Sequence, residues 1–326
     1  MTNLPSQAMP LLVFGGPYSN LQATQALMAE ARRLTIPPEQ IICTGDVVAY
    51  CGHPEETVTA MRDWGVQVIQ GNCEEQLAAA AADCGCGFGA GSACDRLAKS
   101  WYEFANARLS AQSRRWMGQL PRALQLNIAG VRTRVVHGGV RQINLFLFAS
   151  QTADLKQEIK SSGSDLVIGG HCGIPFVREI AGRVWFNPGV IGMPANDGTP
   201  RGWYGLIEES GSERPARSLK LSVHPLTYDH VTAAAAVRSA GYVTPYAEAL
   251  VTGLWPSLDV LPATERDATG LRRDRQAQIV AFHQGECGPA RHNLDRGHRS
   301  TCSAARKRHG GPCHQPLSQV APQRPR

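Results

Sequence analysis

At 326 residues, 43% of them hydrophobic, the chain can bury one large core or two ordinary ones, and no apolar run approaches the roughly 18 residues of a membrane-crossing helix. Its net charge of +6 is gathered at one end: Leu271 onward holds 11 Lys+Arg against 3 Asp+Glu, leaving 22 against 24 in the residues before it. The slightly acidic body argues against a nucleic-acid partner, and no membrane partner is expected.

The stretch MTNLPSQAMPLLVFGG lacks the basic, long apolar and cleavable parts of a secretory leader, which predicts a cytoplasmic protein with its ten cysteines reduced. LLVFGG, an apolar run closed by two glycines, predicts a strand and a tight turn, and apolar residues then recur at helical spacing over 20 to 34. QIICTG and VQVIQG read as strands, with helices at 54 to 64 and 74 to 82. A helical, cysteine-rich insertion over about 73–120, including one long helix at 91 to 119, separates them from the strands TRVVHG and DLVIGG, between which 150 to 161 reads as helix. FVREIAGRVWFNPG, GWYGLIE and SLKLSVHPL make the following part β-rich and antiparallel, with a turn at Asn196-Asp197-Gly198. Helices at 228 to 239 and 244 to 252 belong to a terminal cover in which His230 is structural.

This order predicts an α/β protein with two packed sheets flanked by helices, spanning 9–268. Residues 269–326 are basic, aperiodic and rich in Arg, Gly, Pro, His and Cys; too little apolar surface is available there to offset ordering, so a disordered tail is expected. Its His283, Cys287, His292, His298, Cys302, His309, Cys313 and His314 match no paired zinc-finger spacing.

Four strand ends carry a glycine-flanked residue with metal-ligand chemistry: Asp46 in IICTGDVVAYCG, Asn72 in VIQGNCEEQL, His137 in VVHGGV and His171 in VIGGHCGIPF. Strands lying side by side would bring these groups out at one carboxyl edge, where backbone turns sharply and a cleft opens. A carboxylate, an amide oxygen and two imidazoles suit Mn, Fe or Zn, and hold too much nitrogen for a calcium cage. Singly, each residue is more often a turn or a hydrogen-bonded core group; the recurrence at four strand ends makes them a candidate metal site.

GDVVAYCGHPEE, GNCEEQL, VVHGG, GGHCGIPF and NPGVIGMPANDGTPRGWYGLIE together resemble, in order and spacing, the calcineurin-like metallophosphoesterases, especially their small bacterial phosphodiesterase-like branch, over about Leu11 to Glu208. The resemblance implies a four-layer α/β/β/α sandwich and a two-metal centre that hydrolyses phosphomonoesters or phosphodiesters. It also implies departures. The family's leading carboxylate and imidazole fall on Gly16 and Tyr18, and the second imidazole of its His-x-His motif falls on Gly173. By the family's scheme these lost groups serve the first metal, whereas Asp46, Asn72, His137 and His171 serve the second, so one divalent ion is expected. Cys73 stands where the family has a histidine that touches phosphate, which makes Cys73 and His137 the catalytic candidates.

Thiolates are soft ligands, and Cys73, Cys84, Cys86 and Cys172 sit in glycine-rich loops where they could replace lost donors; Cys43, Cys51 and Cys94 read equally well as small buried hydrophobes. Gly15 and Gly16, ahead of a helix, could offer amides to phosphate, although GGP is also an ordinary turn. Asn187 and Arg201 are candidates for holding a loop or a phosphate. The expected function is hydrolysis of a phosphorylated small molecule by metal-activated water. The alternatives are a phosphoesterase-fold binding or regulatory protein without turnover, and a thiol-rich metal or redox site on the same scaffold.

Overall fold

A computed structural model describes residues 2–3, 8–210, 217–242 and 245–282. In chain order the elements are β1 (Thr2–Asn3), β2 (Leu11–Phe14), α1 (Leu21–Arg33), β3 (Ile41–Cys43), α2 (Pro54–Trp64), β4 (Gln67–Val68), α3 (Asn72–Ala78), α4 (Ala93–Arg108), α5 (Ala111–Gln119), β5 (Ala123–Ile128) and β6 (Val131–Val136). They continue as α6 (Thr152–Ser162), β7 (Leu166–Ile168), β8 (Phe176–Ile180), β9 (Arg183–Asn187), β10 (Gly202–Glu209), β11 (Ser218–Leu226), α7 (His230–Ser239), α8 (Tyr246–Thr252), α9 (Ala263–Asp267) and β12 (Gln276–Ala281).

Among the described residues the strands form two six-stranded sheets, ordered β1-β5-β6-β7-β9-β8 and β12-β11-β10-β2-β3-β4. Period-two alternation decides how these layers stack. Leu11 and Val13 of β2 join Leu124, Val135, Leu166 and Phe186 in an apolar core between the sheets. Leu12 and Phe14, one residue out of phase, instead pack with Leu27 of α1 and Val58 and Met61 of α2. On the opposite side Val136, Val167 and Trp185 pack against Leu155 and Ile159 of α6. Both strand faces are buried, helices cover both outer faces, and the architecture is the four-layer α/β/β/α sandwich.

Three expectations need correction. The single helix at 91 to 119 is two: Leu109 turns extended (ψ 129), and the Ser110 hydroxyl caps α5 by accepting from the Ser113 amide at 3.1 Å. The alternating segment ALQLNI, assigned no strand from sequence, is β5, antiparallel to β6. The folded part does not end at 268, because QAQIVA forms β12 against β11, from Ser218↔Ala281 to Val223↔Gln276. Val280 and Phe282 enter the core between the sheets, so composition over the Arg-rich window concealed a six-residue strand. The rest of the expected tail, with His283, Cys287, His292, His298, Cys302, His309, Cys313 and His314, lies outside the described residues.

Truncation after Gly270 should therefore lower the melting temperature relative to truncation after Gln284. Losing the burial of Val280 and Phe282 should cost about 3–5 kcal/mol, or roughly 10 °C in a thermal melt.

Candidate metal centre

Strands of both sheets deliver the site. Asp46 follows β3 and Asn72 begins α3 after β4, while His137 directly follows β6 and His171 follows β7 after two glycines. Asp46 and His171 both hold left-handed backbone, with φ of 58° and 61°. Such conformations cost a non-glycine residue about 1–3 kcal/mol each and persist only where surrounding structure enforces them. At Asp46 the enforcement is visible: its amide donates to Glu74 Oε2 at 2.7 Å, and its carbonyl accepts from the Tyr18 amide at 3.2 Å. Gly71 permits the close approach of the Asn72 loop, since a Cβ there would stand 2.3 Å from Asp46 Oδ1.

The four expected donors converge on His137. Its Nε2 lies 3.1 Å from Asp46 Oδ2, 3.1 Å from Asn72 Oδ1 and 3.0 Å from His171 Nδ1, and His171 Nδ1 lies 3.7 Å from Asp46 Oδ2. Ligands about 2.1 Å from an ion stand about 3.0 Å apart at right angles and about 3.4 Å apart at tetrahedral angles. The observed spacings bracket these values, so the donor set fits one small transition-metal ion. Two imidazoles also argue against a calcium ion, which takes about six to eight oxygen ligands.

Neighbouring groups aim each donor. The Thr44 carbonyl lies 2.6 Å from His137 Nδ1, which places that nitrogen's proton there and leaves the Nε2 lone pair toward the cluster. The Asn72 amide donates from Nδ2 to the Cys84 carbonyl at 2.9 Å and to Cys86 Sγ at 3.3 Å, so Oδ1 faces inward. Asp46 Oδ1 accepts from the Cys73 amide at 3.3 Å, leaving Oδ2 to the cluster. Burial opposes ionisation of Asp46, but the adjacent imidazoles of His137 and His171 outweigh it and hold its carboxyl well below the usual range. Burial likewise opposes a charge on His137, and the Asp46 carboxylate outweighs that and raises its pKa. At His171 burial prevails, keeping the imidazole neutral and able to ligate.

The thiols do not join this group. Among the described residues, only Asp46, His137 and His171 form a His/Cys/Asp/Glu group whose ligand atoms all lie within 4.8 Å of one another. Cys86 instead contacts the thiols of both Cys73 and Cys84, and all three are buried beside the Asn72 amide. Burial pushes the Cys73 thiol pKa up, and its sulfur lies against Cys86 and outside the Asp46–His137–His171 group. Cys172 Sγ accepts from Asn187 Nδ2 at 3.1 Å and lies in the apolar layer with Val167 and Trp185. Gly15 and Gly16 cannot cradle phosphate as expected, because their amides already donate to the carbonyls of Gly189 (3.0 Å) and Gly45 (3.1 Å). Asn187 holds the His171 loop by donating to the Gly170 carbonyl at 3.0 Å, and Arg201 is engaged by Asp197 at 3.1 Å.

Sequence reasoning missed Glu74. This fully buried carboxylate accepts from the amides of Asp46 (2.7 Å), Val48 (3.3 Å) and Gly71 (2.9 Å), so it ties the two donor loops together. Burial, reinforced by the charge of Asp46, pushes its pKa up to about 7. GNCEEQL carries a signal only in retrospect: Glu74 is the third residue of α3 and its carboxylate reaches back to the Gly71 amide. Glu74→Ala should leave three amides without their acceptor and lower stability by about 2–4 kcal/mol, read from urea unfolding.

The Calcineurin-like phosphoesterase superfamily domain matches residues 9–210. A curated relative, an uncharacterised protein of Methanocaldococcus jannaschii, is 24% identical over 237 residues, covering 67% of this chain and 88% of the relative. Among solved structures, a metallophosphoesterase from Sphaerobacter thermophilus is 22% identical with a TM-score of 0.58, covering 76% of this chain and 100% of that one. A hypothetical protein from Pyrococcus horikoshii is 16% identical with a TM-score of 0.61, covering 75% and 98%. These two likenesses concern the fold, and the family match spans most of the chain, site included: the protein belongs to the calcineurin-like phosphoesterase superfamily.

Proposed function

We propose that the protein is a metal-dependent phosphoesterase working with one divalent ion held by Asp46, Asn72, His137 and His171. The observation that carries this reading is the convergence of buried donor atoms of Asp46, Asn72 and His171 within 3.1 Å of His137 Nε2, from four separate strand ends. Family membership supplies the reaction class. A divalent ion at this position would polarise a phosphoryl oxygen and lower the pKa of water.

The residues supply the rest. Asp46 offsets the ion's charge, and Thr44 and the Cys84–Cys86 segment keep His137 and Asn72 oriented, so no reorganisation is needed when ester arrives. His171 stands at the boundary between the donors and an adjoining cleft, where an ester can approach. The single ion is supported by Gly16, Tyr18 and Gly173, which present neither carboxylate nor imidazole at the positions where the family resemblance expects donors for a second.

Asp46→Ala and His137→Ala should each abolish metal-dependent release of nitrophenol from bis(4-nitrophenyl) phosphate, and elemental analysis should fall from one ion per chain to near none. Unchanged rates in both variants would refute the assignment, and two ions per chain in the parent would refute the single-ion site. A binding protein without turnover would keep its ion and release no nitrophenol from any ester.

A further inference from the structure

Aromatic rings fill the space in front of Gly16 and Gly173. A Cβ on Gly16 would stand 2.5 Å from Cζ of Tyr18, and one on Gly173 would stand 3.2 Å from Cζ2 of Trp255. Both glycines are also left-handed, with φ of 40° and 75°, so a larger residue at either would be strained as well as crowded. Tyr18 and Trp255 are walls of a partly open cleft, and His171 lines the same cleft. One imidazole thus belongs both to the metal donors and to an aromatic chamber.

The other walls come from outside the strand-end loops. Phe88 and Leu97 belong to the insertion, and Tyr246 and Trp255 to the terminal cover. The rings support one another, with centroids 4.8 Å apart for Tyr18 and Tyr50, 4.6 Å for Tyr50 and Tyr246, and 4.2 Å for Phe146 and His171. None of the lining residues is Lys, Arg, Asp or Glu.

We propose that this cleft seats an aromatic ester group of a monoanionic phosphodiester, with the phosphate lying at the His171 edge beside the donors. The inference rests on the phosphoesterase reading above and narrows its substrate class. Flat aromatic groups are what ring-lined walls complement best. Charge makes the same selection. One divalent ion and the Asp46 carboxylate leave a single net positive charge, matched by a diester; a monoester dianion would bring a second negative charge to walls that offer no cation. In the reaction, the oxygen of water forms the new P–O bond and the P–O bond to the departing alcohol breaks. The alcohol leaves with one of water's protons, and the other remains on the monoester product.

The test uses the full-length, metal-loaded protein and three probes: diphenyl phosphate, dimethyl phosphate and phenyl phosphate. Diphenyl phosphate should bind at least tenfold more tightly than either of the others, by calorimetry and as an inhibitor of nitrophenol release, and should quench the fluorescence of Trp255. Leu97→Trp, which narrows the cleft, should weaken diphenyl phosphate at least fivefold and leave dimethyl phosphate unchanged. Phe88→Ala should raise KM for bis(4-nitrophenyl) phosphate while kcat stays within twofold. Equal binding of diphenyl and dimethyl phosphate, or tighter binding of the phenyl phosphate dianion, would overturn the inference even with nitrophenol release intact. Absence of all ester hydrolysis would instead remove the phosphoesterase reading, and the calorimetric comparison would still decide what the cleft accepts.

Discussion

The structure turns on the burial of the Asp46 carboxylate against the His137 imidazole, 3.1 Å apart and both almost wholly removed from water. An ionised carboxylate at that depth is costly unless positive charge or hydrogen bonds compensate it. Here compensation comes from imidazoles on one sheet, while the carboxylate comes from the other, so the pair bridges the open carboxyl ends of the sandwich. The left-handed backbone at Asp46 and His171 is the conformational cost of aiming these side chains at one another. Glu74, which touches no donor atom of the cluster other than through the Asp46 amide, keeps that conformation from relaxing.

The cysteines acquire a role different from ligation. Cys86 accepts a hydrogen bond from the Asn72 amide, and together with the Cys84 carbonyl it dictates which end of Asn72 faces the cluster. An amide side chain is nearly symmetric in shape, so only its partners determine whether oxygen or nitrogen points inward. The loop Cys84-Gly85-Cys86-Gly87, with both glycines left-handed at φ of 63° and 76°, is bent so that its groups reach Asn72 from outside. The insertion therefore serves the donor set indirectly, and through Phe88 and Leu97 it also builds the adjoining cleft.

Aromatic rings take up the space beside two glycines near the donors. Gly16 and Gly173 lack side chains, and the volumes next to them belong to Tyr18 and Trp255. Trp255 is itself fixed by donating from Nε1 to the Pro194 carbonyl at 2.7 Å, and its amide donates to Asn196 Oδ1 at 2.8 Å. The lining of the cleft carries no Lys, Arg, Asp or Glu, and it meets the donors through His171.

The sequence by itself determined the layered α/β plan and the four residues that meet, because both follow from local periodicity and from glycines that close apolar runs at Asp46, Asn72, His137 and His171. Those signals lie within a few residues of chain, where strand alternation and turn chemistry are set. Only the tertiary structure decided that Glu74 binds two loops, that Gly15 and Gly16 spend their amides on Gly189 and Gly45, and that Cys73 turns toward Cys86. It also decided that QAQIVA is a strand and that Trp255, 82 residues beyond Gly173, fills the space beside it. Each of these depends on which distant group arrives to accept a hydrogen bond or occupy a volume, and no local pattern encodes the identity of that neighbour.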